Sequence, residues 1–244
     1  MNETQVAREQ LVGVVIPALN EAGNIGVVVG AIKGAGFELV VVADNGSTDD
    51  TASEAADAGA VVVSEPRRGY GYACAAGTAA AIERFADIVV YIDGDQSSRA
   101  AEIGAVVAPI VAGEADLVLG SRMLGSIATG AMPTHQRFGN WLVARIMKQL
   151  YRVDVTDLGP FRAVDARQLA TLDMREMTFG WPTEMMVKMA RRNLPMVEVP
   201  VSWDRRGTGE SKVSGTLKGS VLAAWHILRV TFRYARGRPT TTQK

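Results

Sequence analysis

The chain of 244 residues has a single cysteine, Cys74, and only two histidines, His135 and His226. One cysteine excludes an intrachain disulfide framework and a cysteine-built zinc cluster. Two histidines so far apart do not suggest a histidine metal site. No charge dominates: 26 basic residues balance 26 acidic ones, which argues against bulk nucleic-acid binding. No run approaches the roughly 18 to 20 uninterrupted apolar residues of a membrane span, and Met1–Gln10 lacks the apolar core of a signal peptide. Internal repeats and low-complexity linkers are absent. A cytoplasmic protein is expected, soluble or peripheral on the cytoplasmic face of a membrane. One α/β domain over 11–235 is expected, with flexible ends at 1–10 and 236–244.

What is present is alternation. Short β-branched runs at Leu11–Ile16, Glu38–Ala43, Ala60–Ser64, Asp87–Ile92 and Asp116–Leu119 read as strands. Between them, Ala22–Lys33, Asp49–Ala58, Tyr70–Phe85 and Ala100–Ala112 read as helices, with Asn24, Ser47 or Thr48 as candidate N-caps. Strands spaced by helices of this length mean βαβ units and a largely parallel sheet. After Gly120 the regularity fades. Helices are expected at Phe138–Tyr151, Met185–Arg192 and Thr216–Tyr234, an extended segment at Leu158–Val164, a strand at Met196–Trp203, and a polar loop at Arg205–Gly215.

The most informative segment is Asp93-Gly94-Asp95-Gln96. Two carboxylates at i and i+2 leave the end of an apolar strand, with a glycine between them that permits a tight turn. Open α/β sheets bind ligands at the carboxyl ends of their strands. Mg²⁺ or Mn²⁺ at such a place takes one or two carboxylates plus substrate phosphates. Asp-Gly-Asp is also ordinary turn chemistry, so its companions matter. Pro17-Ala18-Leu19-Asn20-Glu21 follows the first strand and Asp44-Asn45-Gly46-Ser47-Thr48-Asp49 the second. Three polar clusters in phase face one crevice, although the second alone could be a turn and a helix cap.

These three segments resemble the nucleotide-sugar signature of family-2 glycosyltransferases with the GT-A fold. Gly120-Ser121-Arg122, Arg137-Phe138-Gly139-Asn140, Asp157-Leu158-Gly159-Pro160-Phe161-Arg162 and Ser211-Lys212 resemble the dolichol-phosphate mannose synthase and polyprenyl-phosphate glycosyltransferase branch. The resemblance spans about residues 11 to 235. It implies a mostly parallel, Rossmann-like sheet flanked by helices, with a nucleotide-sugar half over 11–122 and an acceptor half over 123–235.

It also implies roles. Pro17, Leu19, Asn20, Glu21, Asp44, Gly46 and Ser47 would line the nucleotide pocket, Asp44 accepting hydrogen bonds from base or ribose. Asp93, Asp95 and Gln96 would hold Mg²⁺ or Mn²⁺ on the diphosphate, a Lewis-acid role. Ser121, Arg122 and Arg137, with Asn140, would grip an acceptor phosphate, to which the planar guanidinium is matched. The loop carrying Arg206 and Lys212 would close over the donor and exclude water. Asp157 would orient the site or the donor sugar; it or Glu184 could act as base toward a hydroxyl acceptor. One departure stands out: many relatives have Ser-Gly-Phe where this chain has Gly159-Pro160-Phe161, and proline removes a backbone donor.

Two features keep a bland reading beside the functional one. Arg67-Arg68-Gly69-Tyr70-Gly71 could hold phosphate at a helix N-terminus or be a glycine-eased helix start with solvated arginines. The terminal helix sets Leu217, Val221, Ala224, Trp225, Leu228 and Phe232 on one face. That face, with nearby arginines, suits an anionic membrane surface, or packing on the domain or on a membrane-spanning partner. The expected activity is metal-dependent, inverting transfer of a hexose from GDP-mannose or UDP-glucose to a polyprenyl or dolichyl phosphate. The alternatives are a hydroxyl acceptor, soluble or non-prenyl lipid, and a non-catalytic nucleotide-sugar-binding subunit.

Overall fold

The computed structural model describes residues 10–208 and 217–235. Met1–Glu9 lies outside them, as do Ser211, Lys212 and the tail from Arg236. Seven strands form one sheet: β1 (Val12–Ala18), β2 (Leu39–Asp44), β3 (Val61–Ser64), β4 (Ile88–Tyr91), β5 (Leu117–Ile127), β6 (Arg162–Asp165) and β7 (Met196–Trp203). Their spatial order is β3-β2-β1-β4-β6-β5-β7. All run parallel except β6, which lies antiparallel between β4 and β5. The helices are α1 (Ile25–Gly34), α2 (Thr51–Asp57), α3 (Tyr70–Glu83), α4 (Ile103–Val111), α5 (Thr134–Tyr151), α6 (Ala166–Thr171), α7 (Trp181–Arg191) and α8 (Leu217–Ala235).

Strands buried on both faces must be apolar at every position, not at alternate ones. Hence Val14 and Ile16 join Val40, Val42 and Val90 beneath α1 and α4. Their neighbours Val15, Val41 and Val89 face the other way, toward the α3 and α7 side. Helix α3 approaches β1 closely because Gly77 faces Val15; a Cβ there would stand 2.4 Å from Val15 Cγ1.

Several local expectations shift. Helix α2 starts at Thr51 after Asp50, so Ser47 and Thr48 do not cap it. Asn24 occupies the N-cap of α1, yet its side chain caps nothing and turns to the crevice. Strand β5 runs on to Ile127 because its far half pairs with β7 across a bulge. Helix α6 was not expected; Asp165 caps it, accepting from the N–H groups of Arg167 and Gln168. The apolar face expected on α8 packs on the domain in part, with Leu228 against the core. Buried Val230 and Thr231 face inward, while Trp225 and Phe232 are 52 % and 51 % exposed.

Candidate functional site

The carboxyl ends of β1, β2 and β4 bring the three polar loops together, and hydrogen bonds lock them. Asn20 adopts a left-handed φ of 49°. Its N–H donates to Ser47 Oγ at 2.9 Å and its Oδ1 accepts from the Thr48 N–H at 2.8 Å. The Glu21 N–H donates to Thr51 Oγ1 at 2.7 Å, and buried Asp44 accepts from the Ser47 N–H at 3.0 Å. Gly46 has φ +76° and lies beside the Arg68 guanidinium. Pro17 pairs with Ala43 within the sheet, and Leu19 is half-buried at the rim. Asn45, which the sequence did not single out, fastens the frame. It donates to the carbonyls of Glu65 and Arg67 and accepts from the Gly69 N–H.

Past the ends of β1 and β4, Glu21, Asp93 and Asp95 concentrate negative charge. No donor among the described residues hydrogen-bonds the Asp93 carboxylate. Burial, and then the neighbouring Asp95 charge, push its pKa up to about 7, against the opposing pull of Arg122 and Arg206. Asp95 accepts from the Ser97 N–H and hydroxyl. Arg206 reaches across from the loop after β7, donating to Asp95 Oδ2 at 3.2 Å and pairing closely with Glu21. A cation thus already sits on these carboxylates. Their oxygens, with the side-chain amide oxygen of Gln96, make a hard donor set that suits Mg²⁺ or Mn²⁺. Among the described residues no group of three or more His, Cys, Asp or Glu completes a metal cage. Phosphate oxygens of the donor would fill the remaining positions.

The Arg206 loop is docked by groups that the sequence reading placed in other roles. Asn24, only 1 % exposed, accepts through Oδ1 from the Gln96 amide and from the Thr208 N–H and hydroxyl, each at 3.0 Å. Gln96 holds a left-handed φ of 69°, a strained conformation of the kind that collects at functional sites. The Gly207 N–H donates to the Asp95 carbonyl at 3.0 Å, and Arg99 grips Asp204.

Along β5, Arg122 and fully buried Asp157 form a fork-to-fork pair at 2.7 and 2.8 Å, with the Arg122 N–H adding a third bond. The Arg122 guanidinium also lies over the Trp203 ring. Ser121 is spent on Thr156 and the Leu124 N–H. Asn140 bridges the Thr156 carbonyl and the Leu158 N–H, clamping the Asp157 segment to α5. Arg137 is exposed on the first turns of α5. Behind them Arg162 is fully buried, donating to the carbonyls of Pro182 and Gly159. Among the described residues its Nε lacks a partner, and burial lowers its pKa to about 10.

Two expected residues stand elsewhere. Glu184 is buried at the α7–α8 junction, accepting from the Arg175 and Glu176 N–H groups and from Tyr234 and Lys188. These donors outweigh the burial that opposes ionisation and hold its pKa low; the carboxylate has a structural setting, not that of a base. Arg67 is paired with Glu65, which leaves Arg68 as the arginine at the nucleotide loops. Lys212 lies outside the described residues.

A mostly parallel sheet with nucleotide-type loops, an acidic Asp-Gly-Asp exit and an arginine-bearing loop defines a GT-A glycosyltransferase. The chain belongs to glycosyl transferase family 2, whose model matches residues 13–168. It is 41% identical to an uncharacterised glycosyltransferase of Mycobacterium tuberculosis, over 90% of this chain and 97% of that one. It is 30% identical to the undecaprenyl-phosphate mannosyltransferase of Micrococcus luteus, over 85% of this chain and 89% of that one. Among solved structures it is similar to glucosyl-3-phosphoglycerate synthase of Mycobacterium tuberculosis, bound to Mn²⁺, UDP-glucose and phosphoglyceric acid. That match has a TM-score of 0.75 and 25% identity, covering 95% of this chain and 82% of the other.

Proposed function

We propose that this glycosyltransferase moves a hexose from a nucleotide sugar to a polyprenyl phosphate, with inversion at the anomeric carbon and with Mg²⁺ or Mn²⁺. One observation carries the choice of acceptor. An acceptor hydroxyl needs a base, and both candidate acids, Asp157 and Glu184, are buried and saturated by donors. A phosphate oxygen is already ionised and needs none. The Micrococcus luteus relative, named for an undecaprenyl-phosphate acceptor, supports the same reading.

In this reading Asp44 and the Asn20–Ser47 pair seat the nucleoside, and Asp93, Asp95 and Gln96 would hold the metal, which when bound would supply charge neutralisation for the departing diphosphate. Arg206 exchanges its carboxylate partners for diphosphate oxygens, and Arg122 and Arg137 present the acceptor phosphate in line. No described helix is long and apolar enough to cross a membrane. The polyprenyl tail runs instead along exposed aromatic stripes. Phe138 and Trp141 stack on α5 beside the acceptor residues, and Trp225 and Phe232 line α8 with Arg229 over Trp225. These stripes seat the protein peripherally on the bilayer.

A second reading has one observation behind it: the structural neighbour holds phosphoglyceric acid, a soluble phosphorylated acceptor. Purified protein given Mn²⁺, labelled GDP-mannose or UDP-glucose, and both a short polyprenyl phosphate and phosphoglycerate separates the two. Label in the organic phase, lost with chelator, is expected. Label only in phosphoglycerate would overturn the prenyl-phosphate reading.

A further inference from the structure

We propose a second anion site on the far side of the molecule, which takes a phosphate group and is separate from the donor crevice. Helix α7 ends at Arg191 and leads through Pro195 into the start of β7, and α6 follows the end of antiparallel β6. Both therefore lie at the sheet edge opposite the Asp93–Asp95 loop. Between them and α8 is a cavity of about 300 Å³ lined by Arg175, Lys188, Arg191, Arg192 and Arg233, with Asp173 as its one lining acid. This volume is at the lower end of those that hold small ligands.

Charge makes it a site and not merely a hollow. Arg175 is paired with Asp173, and Lys188 with Glu184 behind the wall. Arg192 donates to the hydroxyl and carbonyl of Thr171 and lies within the field of Asp173, and Arg233 lies beside the Tyr234 ring. Leaving Arg191 out of the count, four cations meet two carboxylates. The carboxyl ends of α7 and α8 add roughly half a negative charge each, which takes up about one of the two surplus charges. Among the described residues the rest is unmatched, and guanidinium groups already held in place are matched to phosphate oxygens. An adjoining cavity shares Arg233 and is walled by Phe232 and Arg229, so an apolar substituent on the phosphate has a place to lie.

The ligand is thus a phosphate-bearing anion, which either an anionic phospholipid headgroup or a free phosphate compound supplies. The test uses the full chain and Arg175→Gln/Arg192→Gln, both residues being exposed and outside the donor crevice, with unchanged melting temperature as the check on folding. Pyrophosphate is titrated by calorimetry, and vesicles of phosphatidylglycerol or of phosphatidylcholine are co-sedimented. Tighter binding of phosphatidylglycerol than of phosphatidylcholine, about 25-fold weaker in the double variant at roughly fivefold per lost arginine, is expected for a headgroup. Pyrophosphate binding that weakens by about tenfold or more is expected for a free ligand. Binding of neither probe, or binding that the double variant leaves intact, overturns the proposal. Mn²⁺–UDP binding stays unchanged in the double variant, so this result is independent of the acceptor proposed above.

Discussion

Asp93→Asn should make the protein more stable while removing the proposed metal site. The Asp93 carboxyl is held at about 7, against an ordinary 3.8, by burial and by Asp95. Each tenfold step in that equilibrium is worth about 1.36 kcal/mol, so full ionisation costs about 4 kcal/mol. Solvent at the open crevice reduces this to about 2–3 kcal/mol. The folded pKa is raised, so the folded state binds more protons than the unfolded one between about pH 4 and 7, and stability falls as pH rises through that window. Below about pH 4 both states are protonated and the cost vanishes; above about pH 7 it is complete. Asparagine keeps the shape, removes the charge, and can donate toward Asp95 or Glu21. The variant should melt about 5–10 °C above the parent at pH 8, at about 2–4 °C per kcal/mol for a chain of this size. The gap should close toward pH 4–5. Mn²⁺ with UDP should raise the parent's melting temperature and leave the variant's unmoved. Urea titrations at pH 5 and 8 measure the difference directly. A variant no more stable at pH 8, or a gap that ignores pH, would refute the claim that this carboxylate is held at a cost.

Arg206→Ala removes the cation competing for Asp95 and Glu21. Mn²⁺ affinity of the donor-free protein, read by electron paramagnetic resonance, should rise about fivefold, equivalent to about 1 kcal/mol, while turnover falls. Gly207→Ala places a Cβ 2.4 Å from Gln96 Nε2 and 2.8 Å from Asn24 Oδ1. It should undock the loop and raise the donor KM about tenfold, about 1.4 kcal/mol, with the melting temperature nearly unchanged. Arg162→Met strands the carbonyls of Pro182 and Gly159. Urea unfolding should show a loss of about 2–4 kcal/mol, and unchanged stability would show that the buried guanidinium contributes nothing.

The donor half was legible because its signals are local. Short apolar runs, a polar cluster after each, and glycine at Gly46 and Gly94 declare strand ends and tight turns within a few residues. What the sequence hid depends on contacts between distant segments. Asn24 looks like a helix cap, and only the approach of Thr208 and Gln96 makes it the clasp of a loop. Asp157 and Glu184 read alike as acids, and their partners Arg122 and Lys188 separate them. The short helix α6 and the orientation of β6 gave no periodic signal, since four residues in a sheet interior are too few for a pattern. For α8 the 3.6-residue spacing finds an apolar face but cannot tell which side meets solvent.

The position of β6 governs how the chain can be made. Strand β4, buried along its whole length, gains its second neighbour only when residues 162–165 arrive, some seventy residues later in synthesis. Until then an apolar strand presents an open edge, a template for pairing with another chain. The first half of the chain alone should therefore be poorly soluble and aggregation-prone. Closing the sheet requires an insertion between two strands already made, a non-local step of the kind that slows folding. Division of the gene near residue 122 should yield fragments that recover solubility only when co-expressed.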